Sequence, residues 1–154
     1  MTTYELVKFL HVVSVVVWVG SGFGLVVLTR LLRRSGDRRG ALSLGRQLDT
    51  LGKLLFMPAA VSTLVWGIAM VVIADNIAFS DTFIVVGFAA IVFSVVLSIA
   101  IRAPAGTRIA AIVQEGGPDD ERIDDVFSRL MRVNVADQAV LLVAIFAMVT
   151  KVGA

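Results

Sequence analysis

The charged residues divide the chain into four long uncharged stretches. These contain 21, 21, 20 and 18 residues, and only the last is interrupted by a charge, Asp137. A helix needs about 20 apolar residues to cross ~30 Å of hydrocarbon. The pattern therefore predicts four transmembrane helices, at about residues 8–30, 54–74, 82–101 and 133–151.

Composition supports a membrane protein. Of the 154 residues, 58% are hydrophobic and 17% are charged, whereas soluble domains average roughly 45–50% apolar and 25% charged. The chain has no cysteine, which excludes disulfides and thiol chemistry. We expect an all-α polytopic protein, with residues 1–154 forming a single four-transmembrane-helix bundle in the lipid bilayer.

The basic residues are distributed unequally between the connections. Two connections, at about residues 31–53 and 102–132, together with their flanking basic residues hold twelve of the fourteen lysines and arginines. The positive-inside rule places both in the cytoplasm and both termini outside. Because this asymmetry accounts for the basic charge, we expect no nucleic-acid partner. We expect the basic segment around Arg33–Arg39 to touch anionic headgroups.

Both cytoplasmic connections have helical character. In the first, leucines 44, 48, 51 and 55 recur at helical spacing, which predicts a helix that lies on the membrane or leads into span two. In the second, Gly116, Gly117 and Pro118 predict a break. The acidic residues 119–121 then suit the start of a helix that continues into span four. These helices form either a simple stalk or a docking surface for a protein partner.

His11 is the single histidine of the chain. It lies near the outer end of span one, and helical spacing places Ser14, Trp18 and Gly22 on the same face. Ionisable groups inside membranes are often functional, so His11 is a candidate metal or cofactor ligand. The alternative is an interfacial or packed histidine whose ring donates to a backbone carbonyl.

Two methionines lie at a depth similar to that of His11. Met70 and Met148 each lie near the outer end of their span. Imidazole and thioether together suit copper(I) or a haem iron. The alternative is that both methionines fill gaps in an apolar core. Trp18, near the middle of span one, is either a flat wall for a porphyrin or quinone ring or a packing residue.

Gly20 and Gly24 form a G-x-x-x-G pair in span one. This spacing permits close helix approach, either inside the bundle or between the two copies of a homodimer.

Polar residues cluster at the cytoplasmic start of span four. Asn134, Asp137 and Gln138 lie within five residues, and Asp137 is roughly 7 Å inside Arg132 at helical rise. This polar membrane site is either a satisfied anchor, with Arg30 or Lys53 reaching in to meet Asp137, or a proton site.

The segment KFLHVVSVVVWVGSGFG carries an H-x6-W-x-G pattern made by His11, Trp18 and Gly20, and MPAAVSTLVWG follows in span two. These strings resemble an uncharacterised family of four-helix bacterial integral membrane proteins over most of the chain. More distantly they resemble the copper-resistance-D domain and the haem-J type of protoporphyrinogen oxidase. The distant resemblance implies b-type haem or copper, with His11 as the ligand, although the chain lacks a second histidine.

Two hypotheses follow for the function. The first is an assembly or accessory component of the bacterial cytoplasmic (inner) membrane without a catalytic centre, since few side chains that carry chemistry are present. The second is a haem b- or copper-binding redox protein, with His11 as metal ligand and Trp18, Gly22, Met70 and Met148 completing the cofactor site.

Overall fold

The computed structural model describes residues 1–153, apart from the side chain of residue 49. Within these residues the ordered elements are helices, in the order α1 (Thr3–Arg34), α2 (Arg38–Leu51), α3 (Met57–Ile73), α4 (Thr82–Leu97), α5 (Ala103–Gly116) and α6 (Arg122–Thr150). A first π-turn (Gly52–Phe56) joins α2 to α3, and a second π-turn (Ser98–Arg102) joins α4 to α5. The described chain therefore forms four long helical rods, which are α1, α2 joined to α3, α4 joined to α5, and α6.

Each rod contains a segment able to cross a membrane. These segments are Thr3–Arg34, Gly52–Ile73, Thr82–Gly116 and Arg122–Thr150. The all-α fold with four transmembrane helices is thus confirmed. The rods are longer than a bilayer requires, because residues assigned from sequence to the two long connections are also helical.

We name the two ends of the bundle by their contents. The terminal end holds both chain termini and the short 74–81 connection; the basic end holds the two long connections. At the terminal end, Thr2 caps α1: its hydroxyl accepts from the Glu5 amide at 3.2 Å, and its amide donates to the Glu5 carboxylate at 2.8 Å. This reciprocal pair satisfies two amides that a helix start leaves free.

Each π-turn precedes a proline. Pro58 and Pro104 lack an amide hydrogen and cannot donate to the carbonyl four residues earlier. The helix widens just before each of them. The amide of Met57 donates to the carbonyl of Gly52, and the amide of Ala103 donates to the carbonyl of Ser98, in each case five residues earlier. Consequently the side chain of Arg102, the last residue of the second π-turn, leaves the rod at an angle that a regular α-helix would not give.

The membrane part of the bundle is built from two helix pairs. Helix α1 packs against α3 and α4 packs against α6, while α1 and α6 join the pairs. The central core contains Trp18, Ala59, Ala90, Leu141 and Ala144, so every span contributes to it. A second cluster closes the terminal end with Val71, Phe83, Ile84 and Ala147.

The basic end continues into a folded extension made of α2, α5 and the first part of α6. Its own apolar core comprises Leu42, Ile109, Ile112, Ile123, Phe127 and Leu130. The predicted break is confirmed, since α5 ends at Gly116 and Gly117 takes a φ of +84°. The prediction that α6 runs without interruption into span four is also confirmed.

Helix α2 leads into span two and also packs against the other helices of the extension. Its fully buried side chains are Ala41 and Leu42, whereas the predicted leucines 44 and 48 are half-buried. The helix therefore turns a face against α5 and α6. The basic end is a packed helical extension, and whether it serves as a stalk or as a docking surface stays a prediction.

Candidate functional site

His11 joins α1 to α3. Its Nδ1 lies 2.9 Å from the carbonyl oxygen of Thr63. A carbonyl oxygen only accepts, so Nδ1 carries the hydrogen and donates it. In the neutral ring Nε2 then keeps its lone pair. This contact has the geometry of the packed-histidine alternative, and it is also the arrangement that usually orients a ligating histidine.

Two features of α3 make this contact possible. The Thr63 side chain is buried. Its hydroxyl donates a hydrogen bond within the same helix, to the carbonyl oxygen of Ala59 at 2.8 Å. One turn further on, Gly67 leaves room for the imidazole: a β-carbon there would lie 3.1 Å from Cε1 and 3.3 Å from Nδ1 of His11. Sequence analysis did not identify Thr63 or Gly67 as partners of His11, because the pattern of one helix does not reveal which residues face it.

Trp18 and Gly22 face the inside of the bundle. The indole of Trp18 is buried in the central core against α3, α4 and α6. One turn along, Gly22 lies directly under the side-chain amide of Gln138, which would collide with any β-carbon. Trp18 packs in the central core and Gly22 permits the contact between α1 and α6, while a cofactor role for either residue stays a prediction.

The two methionines occupy other contacts. The methyl group of Met148 packs against Gly87 of α4, beside the cluster at the terminal end. Met70 is half-buried in α3, two helical turns beyond Thr63. A cofactor role for His11, Met70 and Met148 stays a prediction.

The polar membrane site links α6 to α4. Asp137 is 2% exposed. Its Oδ2 accepts a hydrogen bond from the hydroxyl of Ser94 at 3.0 Å and forms an ion pair with Nη2 of Arg102. The Nε of Arg102 donates to Oδ1 of Asn134 at 2.9 Å. One guanidinium therefore binds two residues that lie one turn apart on α6.

Arg102 corrects the predicted partner of Asp137. We expected Arg30 or Lys53, which lie at a suitable depth, but α6 packs against α4, and the second π-turn presents Arg102 on that side. Sequence analysis missed Arg102 and Ser94 as members of this site. The sequence carries a partial signal, since residues 94, 98 and 102 are spaced by four, but the π-turn between Ser94 and Arg102 changes the direction of Arg102.

Two acceptors in the polar membrane site have no hydrogen-bond partner among the described residues. They are Oδ1 of Asp137 and Oε1 of Gln138, and both atoms are buried. Buried acceptors normally have a donor, so the polar membrane site keeps hydrogen-bonding capacity that the described residues do not use. Within the described part of the chain, no group of three histidine, aspartate or glutamate side chains is arranged to hold a metal ion.

Four long apolar helices with polar links between them define a multi-pass integral membrane protein. A family model described as "Predicted integral membrane protein (DUF2269)" matches residues 5–152, and the chain belongs to this family. Searches of curated proteins and of solved structures gave no match. The distant resemblance to the copper-resistance-D domain and to the haem-J-type oxidase has no support from these comparisons and stays a prediction.

Proposed function

We propose that the protein is an assembly or accessory component of the bacterial cytoplasmic membrane, without a catalytic centre of its own. The observation that carries the proposal is that His11 and Asp137, the ionisable residues in the interior of the predicted spans, contact other helices of the same chain. His11 joins α1 to α3 through Thr63, and Asp137 joins α6 to α4 through Arg102 and Ser94. In hydrocarbon such contacts fix which helices pair.

The proposed orientation places the basic end in the cytoplasm and both termini outside. The packed extension would then present α2, α5 and the start of α6 to the cytoplasm. Exposed arginines on α2, such as Arg39 and Arg46, lie on this surface. We propose that the extension is where a protein partner binds.

Photo-crosslinking in native membranes tests the assembly role. A photoreactive amino acid is placed at Arg39 or Arg46, and the matched control is at Val92 of α4, which is 61% exposed on a face of the span. The expected result is one discrete adduct of constant mass from the extension positions and none from Val92. Equal smears from all three positions would contradict a specific partner.

A haem b- or copper-binding role is the second candidate, and one observation favours it. Because Nδ1 of His11 donates to the Thr63 carbonyl, Nε2 is left as the coordinating nitrogen. Bound haem or copper would supply one-electron chemistry at the terminal end of α1. The remaining ligand would be one of the methionines, Met70 or Met148, or would come from a second copy of the chain.

An absorption spectrum with metal analysis separates the two candidates. For the first, we expect protein purified in an uncharged maltoside detergent to be colourless and free of stoichiometric iron and copper. A Soret band or bound copper that is lost in His11→Ala, but retained in a Ser14→Ala control, would replace the first candidate with the second.

A homodimer through α1 is part of the proposal. Gly20 and Gly24 are exposed, and a β-carbon at either position would meet nothing within 4 Å. The G-x-x-x-G pair is therefore unused inside the monomer and open to a second copy. Crosslinking through Gly20→Cys should give a dimer that Gly24→Ile abolishes. A monomer for both variants in native membranes would exclude this interface.

A further inference from the structure

A cavity of about 400 Å³ lies at the basic end, between the α1–α2 turn and the start of α6. Its polar lining comprises Arg33, Arg38 and Asp124, and its apolar lining comprises Ala41, Ile123 and Phe127. Small-molecule sites usually have volumes of about 300–1,000 Å³ and are lined mostly by apolar groups with a few polar ones. Neither the family nor the proposed function assigns a role to this cavity.

The charges of the cavity are unbalanced. Asp124 binds both arginines, with Oδ1 3.7 Å from Nη2 of Arg33 and Oδ2 3.2 Å from Nη2 of Arg38. Two guanidinium groups share one carboxylate, so the lining keeps one positive charge. Arg38 also donates to the carbonyl of Asp120 at 2.7 Å, and Arg33 donates to the hydroxyl of Ser128 at 3.3 Å. These contacts hold both arginines in place.

One hydrogen-bond donor of the lining residue Arg38 lacks an acceptor. The Nε of Arg38 is buried and donates to none of the described residues. Leaving a buried donor of a charged group without a partner is costly. The planar guanidinium matches the geometry of phosphate oxygens, and its Nε–H and Nη–H groups can bind two of them together.

The depth of the cavity also fits phosphate. Arg33 lies three residues beyond Arg30, where span one was predicted to end, which is about 4.5 Å at helical rise. The headgroup layer of a bilayer occupies roughly the next 5–7 Å on each side. A lipid phosphate and a soluble phosphate both have access to a site at this level.

We propose that this cavity binds a phosphate-bearing anion, which is held by the guanidinium groups of Arg33 and Arg38. The bound anion joins the α1–α2 turn to the first turns of α6. Its source is either a lipid headgroup or a soluble phosphate compound, which share the chemistry that the two arginines recognise.

Thermal unfolding in uncharged maltoside at low ionic strength provides the first test. The protein is titrated with inorganic phosphate and, separately, with short-chain phosphatidylglycerol, with chloride at matched ionic strength as the blank. Binding should raise the midpoint of unfolding by about 3 °C at saturation. A shift with the lipid alone identifies a headgroup site, and a shift with phosphate alone or with both identifies the phosphate group as sufficient. No shift with either overturns the proposal.

Paired variants exclude a general effect of charge. Arg38→Gln should weaken binding at least tenfold, whereas Arg39→Gln removes the same charge one residue away, on an exposed side chain, and should leave binding within twofold. Equal losses in the two variants would show nonspecific attraction and overturn the site. Because Arg38→Gln also removes contacts that hold the extension together, wild-type binding is also measured by equilibrium dialysis with radiolabelled phosphate, where absence of binding overturns the proposal directly.

A gain of affinity is the sharpest test, because a damaged fold cannot imitate it. Asp124→Asn removes the carboxylate that competes for both arginines and should tighten phosphate binding about tenfold. The control, Asp125→Asn, makes the same change on an exposed neighbour and should have little effect. Unchanged or weaker binding in Asp124→Asn would contradict the proposal, while leaving the assembly role untouched.

Discussion

Gly67 of α3 lies opposite the imidazole of His11, so close that a β-carbon on the glycine would be 3.1 Å from Cε1 of the ring. The glycine thus sets the distance between α1 and α3 at the level where His11 donates to Thr63. The hydrogen bond from His11 to Thr63 and the absence of a side chain at Gly67 both belong to this helix contact, and each affects its stability.

Gly67→Ala should destabilise the protein. The methyl group forces the imidazole to shift by a few tenths of an ångström and lengthens the hydrogen bond to Thr63, at a cost of about 1–2 kcal/mol. Thermal unfolding in maltoside measures the effect. Gly106→Ala is the control, because its β-carbon meets nothing within 4 Å. A Gly67→Ala protein as stable as this control would show that the contact between the helices is loose.

Arg102→Gln should destabilise the bundle more than Asp137→Asn does. The Asp137 side chain is 3% exposed and cannot reach water when its cation is removed, whereas the Arg102 side chain is 28% exposed and can extend to the membrane surface. We expect a loss of about 3 kcal/mol for Arg102→Gln and roughly half of that for Asp137→Asn.

A double-mutant cycle checks the assignment of this pair. The double variant should recover part of the stability that Arg102→Gln loses, because it leaves no uncompensated buried charge. Arg108→Gln removes an equal charge from an exposed position on α5 and should be nearly neutral. Additive losses in the double variant would show that Arg102 and Asp137 do not interact.

The stability of the turn before α6 should depend on pH through the protonation of Asp120. Hydrogen bonds from the Arg122 side chain, with Nη2 at 2.8 Å, and from the Arg122 amide at 2.9 Å lower the pKa of Asp120 below its ordinary value. Because the folded pKa is depressed, this stabilisation is present above the ordinary pKa and is lost as the pH falls through the folded value. The pairing correspondingly raises the pKa of Arg122.

A carboxyl-carbon NMR titration of labelled protein in micelles measures this effect. The Asp120 signal should titrate at a lower pH in the wild type than in Arg122→Gln, where the donor side chain is missing. Identical titration curves in the two proteins would mean that the contact does not persist in solution.

The orientation can be tested with single cysteines, because the chain contains none of its own. A membrane-impermeant maleimide applied to spheroplasts should label Asp75→Cys, in the connection between α3 and α4, and should not label Arg39→Cys until the membrane is permeabilised. The reverse labelling pattern would invert the proposed topology and place the basic end outside.

The spans were predictable because charge is excluded from hydrocarbon regardless of what surrounds each helix. The gaps between charged residues located all four, and Gly116 with Pro118 located the break before α6. The core of the extension was only partly predictable. Phe127 and Leu130 follow helical spacing on one face of α6, but Leu42 and Ile109 meet them from other helices, and their contribution depends on how those helices cross.

The polar contacts were predictable as residues but not as pairs. Asp137 and His11 stood out because ionisable groups are rare in membrane spans. Their partners depend on how the helices cross: Arg30 lies on α1, which also contacts α6, yet the cation beside Asp137 is Arg102. The second π-turn changes the direction of Arg102 further, and one period of 3.6 residues applied to the whole rod does not describe it.

The two π-turns distribute stiffness unequally among the four rods. Helices α1 and α6 pass from the membrane into the extension without a break, whereas the other two rods each contain a widened turn and a proline at this level. A sideways force on the extension would therefore be resisted mainly by the continuous helices α1 and α6, while the two interrupted helices bend. The cavity between Arg33 and Asp124 lies between these two continuous helices, so a ligand bound there would stiffen the connection between them.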